Sequence, residues 1–297
     1  MEIRYIMGKY RHVSIKKAAA AFLLLLFVLV SGFTAMAETP GNEWDIITHE
    51  GSDKKENKAY YKALSQILKE NGGVINKRKY TEYSKVVLAL TAAGYDPANV
   101  SGYNLLSRLE EDEAVIRQGI NGPIWALIAL DSGSYKSGKR DVYLSCILSK
   151  ELPGGGWNME GKGNPDPDVT AMAVQSLCNY SEADKNVKAA VDRAIMVLSN
   201  LQDADGGYSS WGTANSESVS QVIIALTHAG IDLNDRRFVK NGRTTLDNLM
   251  TFQLEDGTFM HVKSLGKSDA LATEQARTAL AAVERIKARK KPLYRIK

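Results

Sequence analysis

The 297 residues carry 38 Lys+Arg against 34 Asp+Glu, but five of those bases and one of those acids fall within the first 37, leaving 33 of each sign beyond. A balanced chain offers no overall electrostatic footprint for nucleic acid, so no nucleic-acid partner is expected. About 260 residues remain past this leader, enough for one large domain or two small ones.

Arg4, Lys9, Arg11, Lys16 and Lys17 precede an apolar run from Ala18 to Val30, and Ala35 and Ala37 follow as small residues. This three-part order predicts a secretory signal peptide over residues 1–37, cleaved after Ala37, and a secreted or extracytoplasmic surface protein. An uncleaved anchor is the alternative, since Ala18 to Ala37 is just long enough to span a bilayer. Membrane contact is expected through this leader alone.

Beyond it the chain reads as helix after helix, with Gly-rich connections and no convincing strand alternation. One set of helices starts near Asn42, Thr81, Asn121, Asp168, Ser216 and Asp269, and a second near Asn57, Gly102, Arg140, Asn186 and Thr244. The first set is the more apolar, as in Trp125-Ala-Leu-Ile-Ala-Leu130. The second carries charge on one side, as in Val187-Lys-Ala-Ala-Val-Asp-Arg193. Helices apolar all round belong inside and amphipathic ones outside.

Two repeated motifs punctuate these helices. Ala89-Leu-Thr-Ala-Ala-Gly-Tyr-Asp96 returns as Ala225-Leu-Thr-His-Ala-Gly-Ile-Asp232, and Ala129-Leu-Asp-Ser-Gly-Ser-Tyr135 is a looser copy. Each predicts a helix ended by a glycine in the left-handed conformation. Gln202-Asp-Ala-Asp-Gly-Gly-Tyr208, Gln253-Leu-Glu-Asp-Gly-Thr-Phe259 and Glu151-Leu-Pro-Gly-Gly-Gly-Trp157 predict tight turns with an aromatic packing back. A two-helix repeat of this period predicts an all-α, (α/α)6-type toroid of helical hairpins over residues 38–284. Closure is left open, because no sixth outer helix follows Arg285. The basic tail, 285–297, is expected as a solvated helix end, with contact to anionic wall polymer or lipid headgroups as the sharper reading. Cys146 and Cys178 lie on apolar helical faces and are expected as two buried thiols.

The stretch from Asn164 to Tyr180 carries the functional question. Pro167 presets entry into a helix, with Asp166 and Asp168 crowded at its positive end as caps or as ligand-facing acids. Aligning the inner helices on Leu130, Leu177, Leu226 and Leu280 puts Asn121, Asp168, Glu217 and Leu271 at one level. Glu274 lies nearly a turn deeper, and Met172, Gln221 and Gln275 share the next level. Polar groups from several repeats therefore converge on one mouth, where Tyr83, Trp125, Trp157, Tyr208 and Trp211 offer flat apolar contacts. The plainer alternative has each acid capping its own helix and each Gln tying one helix to the next. No metal-spaced cluster, phosphate loop or Ser/His/Asp order is present, and no cofactor is expected.

The Gln-x-x-Asp-Gly-Gly-aromatic turns, and Asp166-x-Asp168-Val-Thr-Ala-Met172 before an apolar helix, resemble the prenyltransferase and squalene-cyclase repeat superfamily, with its (α/α) toroid fold. The chain looks closest to exported bacterial members labelled terpene-cyclase-like. Asp168-Val-Thr-Ala-Met-Ala173 is similar to a segment of the toroid in transcobalamin-type carriers. By that resemblance Asp168 falls on the proton donor of class II cyclases and Asp166 on the acid before it, which implies a squalene cyclase-like isomerase or lyase if the protein is an enzyme. Val169 replaces the family's last acid. The leading expectation is a non-catalytic protein that binds a small apolar or macrocyclic ligand, or a cell-surface partner, at the inner-helix mouth. A purely structural interaction module is the third reading.

Overall fold

The computed structural model describes residues 39–297, so the leader reading lies outside the described residues. Among those residues no helix is long and apolar enough to cross a membrane.

Six helices of the predicted apolar set form where their starts were expected: α1 (Glu43–Thr48), α3 (Tyr80–Ala92), α5 (Asn121–Ser132), α7 (Pro167–Leu177), α9 (Ser216–His228) and α11 (Ala270–Lys287). Between them lie α2 (Lys54–Glu70), α4 (Asp112–Ile116), α6 (Arg140–Leu148), α8 (Lys185–Leu201) and α10 (Thr245–Met250). Among the described residues the chain is thus all-α apart from two hairpins of two-residue strands, β1–β2 (Ser209–Ser210 with Thr213–Ala214) and β3–β4 (Val239–Lys240 with Arg243–Thr244).

Each odd-numbered helix packs on the next odd-numbered one, and α11 packs on α1. Burial follows the sequence pattern. Ile124, Ala126, Leu127, Ile128, Ala129 and Leu130 of α5 are all buried, leaving no polar face. In α8 only Val187, Ala190, Val191, Ala194, Ile195, Leu198 and Ser199 are buried, one stripe at three- and four-residue spacing. Each fully buried Leu or Ile contributes about 2 kcal/mol, so packing outweighs helix propensity in fixing these elements. At Gly122 an added Cβ would lie 1.9 Å from the Val115 carbonyl oxygen, so only glycine lets α4 press against the start of α5.

Four expectations need correction. The second outer helix does not begin near Gly102; a 3-10 turn (Leu106–Glu110) and the five-residue α4 replace it. In the looser copy of the glycine-stop motif, Ser134 rather than Gly133 takes the left-handed conformation, at φ 52°, whereas Gly94 and Gly230 take it as expected. The C-terminal tail is no solvated end. Leu293 and Tyr294 are 1% and 4% exposed, and the N–H groups of Ile296 and Lys297 donate to the Ser132 carbonyl at 3.1 and 3.0 Å. The apolar pair outweighs the surrounding charge, because the bases can reach water while Leu293 and Tyr294 turn inward. Cys146 and Cys178 are unbridged and half-buried, more exposed than expected.

Candidate functional site

The repeated structure brings one residue from each of four helices into a small cavity. Trp125 (α5), Met172 (α7), Gln221 (α9) and Gln275 (α11) line ≈ 220 Å³ together with Glu274 and Trp44. The two glutamines are held in a chain of amide hydrogen bonds. Gln175 Nε2 donates to Gln221 Oε1 at 3.0 Å, and Gln221 Nε2 donates to Gln275 Oε1 at 3.1 Å. This amide relay ties α7 to α9 to α11, which is what buried amides ordinarily do. The Glu274 carboxyl is pushed above its ordinary range by burial, against the opposing pull of Lys85.

Tyr294 fills much of the remaining space. Its ring lies 5.9 Å from Trp125, 6.4 Å from Trp44 and 5.1 Å from His228, measured between centroids. His228 Nδ1 lies 2.9 Å from the Ile224 carbonyl, so Nδ1 carries the proton and Nε2 accepts from the Tyr294 N–H at 3.4 Å. Neither Trp44 nor Tyr294 was among the sequence candidates. Tyr294 sits among bases, and nothing in its neighbours marks it as a core residue.

Met172 also lines a larger groove of ≈ 790 Å³, which holds Asn121, Met159, Asp166, Asp168, Ser210 and Trp211. Its two aspartates do different things. Asp166 caps α7: Oδ1 accepts the N–H groups of Asp168 and Val169 at 2.9 and 3.1 Å, and Oδ2 accepts the Ser210 hydroxyl at 2.5 Å. Asp168 caps nothing. Its Oδ1 is shut off from water without a hydrogen-bond partner, as are Asn121 Oδ1 and Ser218 Oγ among the described residues. Burial pushes the Asp168 carboxyl up to about 6; Ser218 opposes this from outside full hydrogen-bond geometry, and the charges of Asp166 and Glu217 add to it.

Searches of protein-family models, of curated proteins and of solved structures return no match to the chain. The site must therefore be read from its own geometry.

The remaining candidates go elsewhere. Glu217 turns to His261, whose Nδ1 lies 2.9 Å from both carboxylate oxygens, and it lines neither cavity. Tyr83, Trp157 and Tyr208 are core residues at 1%, 0% and 0% exposure. The Tyr83 hydroxyl accepts from Ile75 and Asn76 N–H, and the Trp157 indole donates to the Ile147 carbonyl at 2.8 Å. Among the described residues no group of three or more His, Cys, Asp or Glu could hold a metal ion.

Trp211 is the exception among the aromatics. It is 82% exposed, at the tip of the β1–β2 hairpin, with φ 52° followed by Gly212 at φ 77°. Two positive φ values in a two-residue loop make the turn that suits the twist of a hairpin and favours Asn-Gly. The β3–β4 hairpin uses that solution, Asn241 at φ 50° and Gly242 at φ 77°. A third such turn pairs Ser101 at φ 53° with Gly102 at φ 91°. Trp211 occupies the same backbone geometry with a bulky side chain, at a cost of about 1–2 kcal/mol. It gains no burial in return.

Proposed function

We propose that the chain is an exported (α/α) toroid that binds rather than transforms its ligand. The ligand is a small, mostly apolar molecule, seated beside Trp211 with a hydrogen-bond donor directed at Asp168. The toroid reading is supported by the odd-numbered helices packing in order with α11 against α1; in that reading they are the inner ring. The tail meets the C-terminal ends of α5, α7 and α9, through Ser132, Asn179 and His228.

The observation that carries the binding reading is Trp211 itself. Strain held at an exposed position, where two other turns of the chain use Asn or Ser, points to a use outside folding. The groove beside it is the size of a ligand pocket, and Met159, 47% exposed, adds a second apolar contact. Asp168 and Asn121 are polar residues that line the same groove.

The class II cyclase reading has less support. Protonating an alkene requires a strong acid, whereas burial makes Asp168 a weaker one. Asp166 is committed to its cap and to Ser210. The ≈ 220 Å³ left beside Tyr294 falls below the range of small-molecule pockets, leaving little room for a folded polyene. A surface partner could place an apolar side chain in the same groove.

Titration with the neutral apolar dye Nile red tests this reading. Dye fluorescence is expected to rise on binding and to lose most of that rise in Trp211→Ala. Equal binding by both proteins would place the apolar site elsewhere.

A further inference from the structure

A second cavity, remote in sequence from Trp211 and chemically unlike its groove, has no role in the reading above. We propose that it is a binding site for a phosphate-bearing anion. It occupies ≈ 670 Å³ beside the C-terminal ends of α5 and α7, and Lys136, Arg140, Lys291, Arg295 and Lys297 line it. Asp131 is the single carboxylate side chain among its walls.

That carboxylate is fully engaged. Oδ1 accepts from Arg140 Nε at 3.0 Å and from the Tyr180 hydroxyl at 2.9 Å, and Oδ2 accepts from Asn179 Nδ2 at 3.0 Å. Asp131 thus orients Arg140 and offsets its charge, while the Lys136, Lys291 and Arg295 side chains have no carboxylate against them among the described residues. Arg140 is the only one of the five in an ion pair among the described residues. Arg295 donates to Asn179 Oδ1, which leaves further guanidinium N–H groups for a ligand.

Cations near helix C-termini are often accounted for by the last carbonyls, and Arg140 does donate to the Leu130 carbonyl at 3.1 Å. That explanation covers Arg140 alone. Lys291, Arg295 and Lys297 come from the tail, and their backbone is anchored. Leu293 and Tyr294 are buried, Arg285 Nε donates to the Lys291 carbonyl at 2.9 Å, and two tail N–H groups hold the Ser132 carbonyl. A loose basic tail would spread its charges into solvent. Here a fixed chain concentrates them around one concavity, where their mutual repulsion is relieved by an anion.

Phosphate fits this donor set better than a single carboxylate. It carries up to two charges and three acceptor oxygens, and it matches planar guanidinium groups and point-charge ammonium groups together. The proposal is independent of the Trp211 groove, because the two sites share no residue.

The test uses the full chain, a cavity variant (Lys136→Ala, Lys291→Ala, Lys297→Ala) and a charge-matched variant outside the cavity (Lys54→Ala, Lys55→Ala, Lys58→Ala). All three cavity lysines are exposed, so both variants are expected to fold. Calorimetric titration with inorganic pyrophosphate reads binding of a free phosphate compound. Sedimentation with phosphatidylglycerol vesicles, against phosphatidylcholine vesicles, reads binding of a lipid headgroup. Affinity for pyrophosphate is expected to fall by at least about tenfold in the cavity variant, from the loss of three charge-assisted contacts, and to stay unchanged in the other. The same contrast on phosphatidylglycerol vesicles alone would support the site with its phosphate on a lipid. Binding of neither probe, or equal loss in the two variants, overturns the proposal.

Discussion

Asp166 Oδ1 accepts the backbone N–H of Asp168 at 2.9 Å, so the first aspartate completes the helix terminus and the second is left without a task in the fold. Two acids of the same type, two residues apart, are separated by which of them reaches the free N–H groups of α7. Asp166→Ala removes the cap and the Ser210 contact, and is expected to cost about 1–2 kcal/mol of stability in urea unfolding. Asp168→Asn is expected to act in the opposite direction, depending on pH.

The sign follows from burial. The Asp168 carboxyl rises from its ordinary 3.8 to about 6 in the folded chain, so the native state holds its proton where the unfolded state has released it. Stability from this group is therefore lost as pH climbs from 3.8 to about 6, by something on the order of 3 kcal/mol. Asp168→Asn is expected to stabilise the protein at pH 7 and to leave it unchanged at pH 3.5. An equal effect at both pH values would mean that the carboxyl is not buried as described.

His228 supplies a slope of the other sign. Burial, helped by Arg295 and Arg285 and opposed by the Ile224 carbonyl, lowers its imidazole to about 4, so below 6.5 the unfolded chain takes up a proton that the native one refuses. Stability is present above 6.5 and is lost as pH falls toward 4, by about 3 kcal/mol. Between about 4 and 6 the two residues offset each other. His228→Gln is expected to flatten the acid limb of the denaturation profile, and Asp168→Asn to steepen it. Parallel profiles for the two variants would contradict both assignments.

Tyr294 is expected to matter as a core aromatic despite its place in a basic tail. Tyr294→Ala should cost about 3 kcal/mol and enlarge the cavity beside Trp44 and Trp125. Added p-cresol, the missing side chain as a free molecule, should restore part of the lost Tm. A cost below about 1 kcal/mol would mean that the tail does not occupy that space in solution.

The helix order was legible because its signals are local. Asn42, Asp166, Asn215 and Asp269 stand at the N-cap positions of α1, α7, α9 and α11, and apolar periodicity follows each. The joint lining of one cavity by Trp125, Met172, Gln221 and Gln275 was legible from repeat alignment, since equivalent positions on packed helices face alike. The aromatic candidates separated poorly, because a residue that packs back on a turn and one that meets a ligand carry the same sequence signal. Trp157 and Tyr208 pack back into the core, whereas Trp211 stays exposed. The Glu217–His261 pair spans 44 residues with no local mark. The strain at Trp211 depends on a backbone angle, for which Gly212 was the single hint.

That strain makes a prediction of its own. Trp211→Asn recreates the Asn-Gly turn already present at Asn241-Gly242, and is expected to stabilise the chain by about 1 kcal/mol while weakening Nile red binding. Stabilisation without loss of binding would separate the strain from the function.

Native mass spectrometry of the full chain, purified gently and compared with the Asp168→Asn, Trp211→Asn double variant, tests the binding account most directly. A retained small molecule on the unmodified chain, absent from the variant, is the predicted result. A bare protein mass from both, or the same adduct at the same occupancy on both, would contradict it.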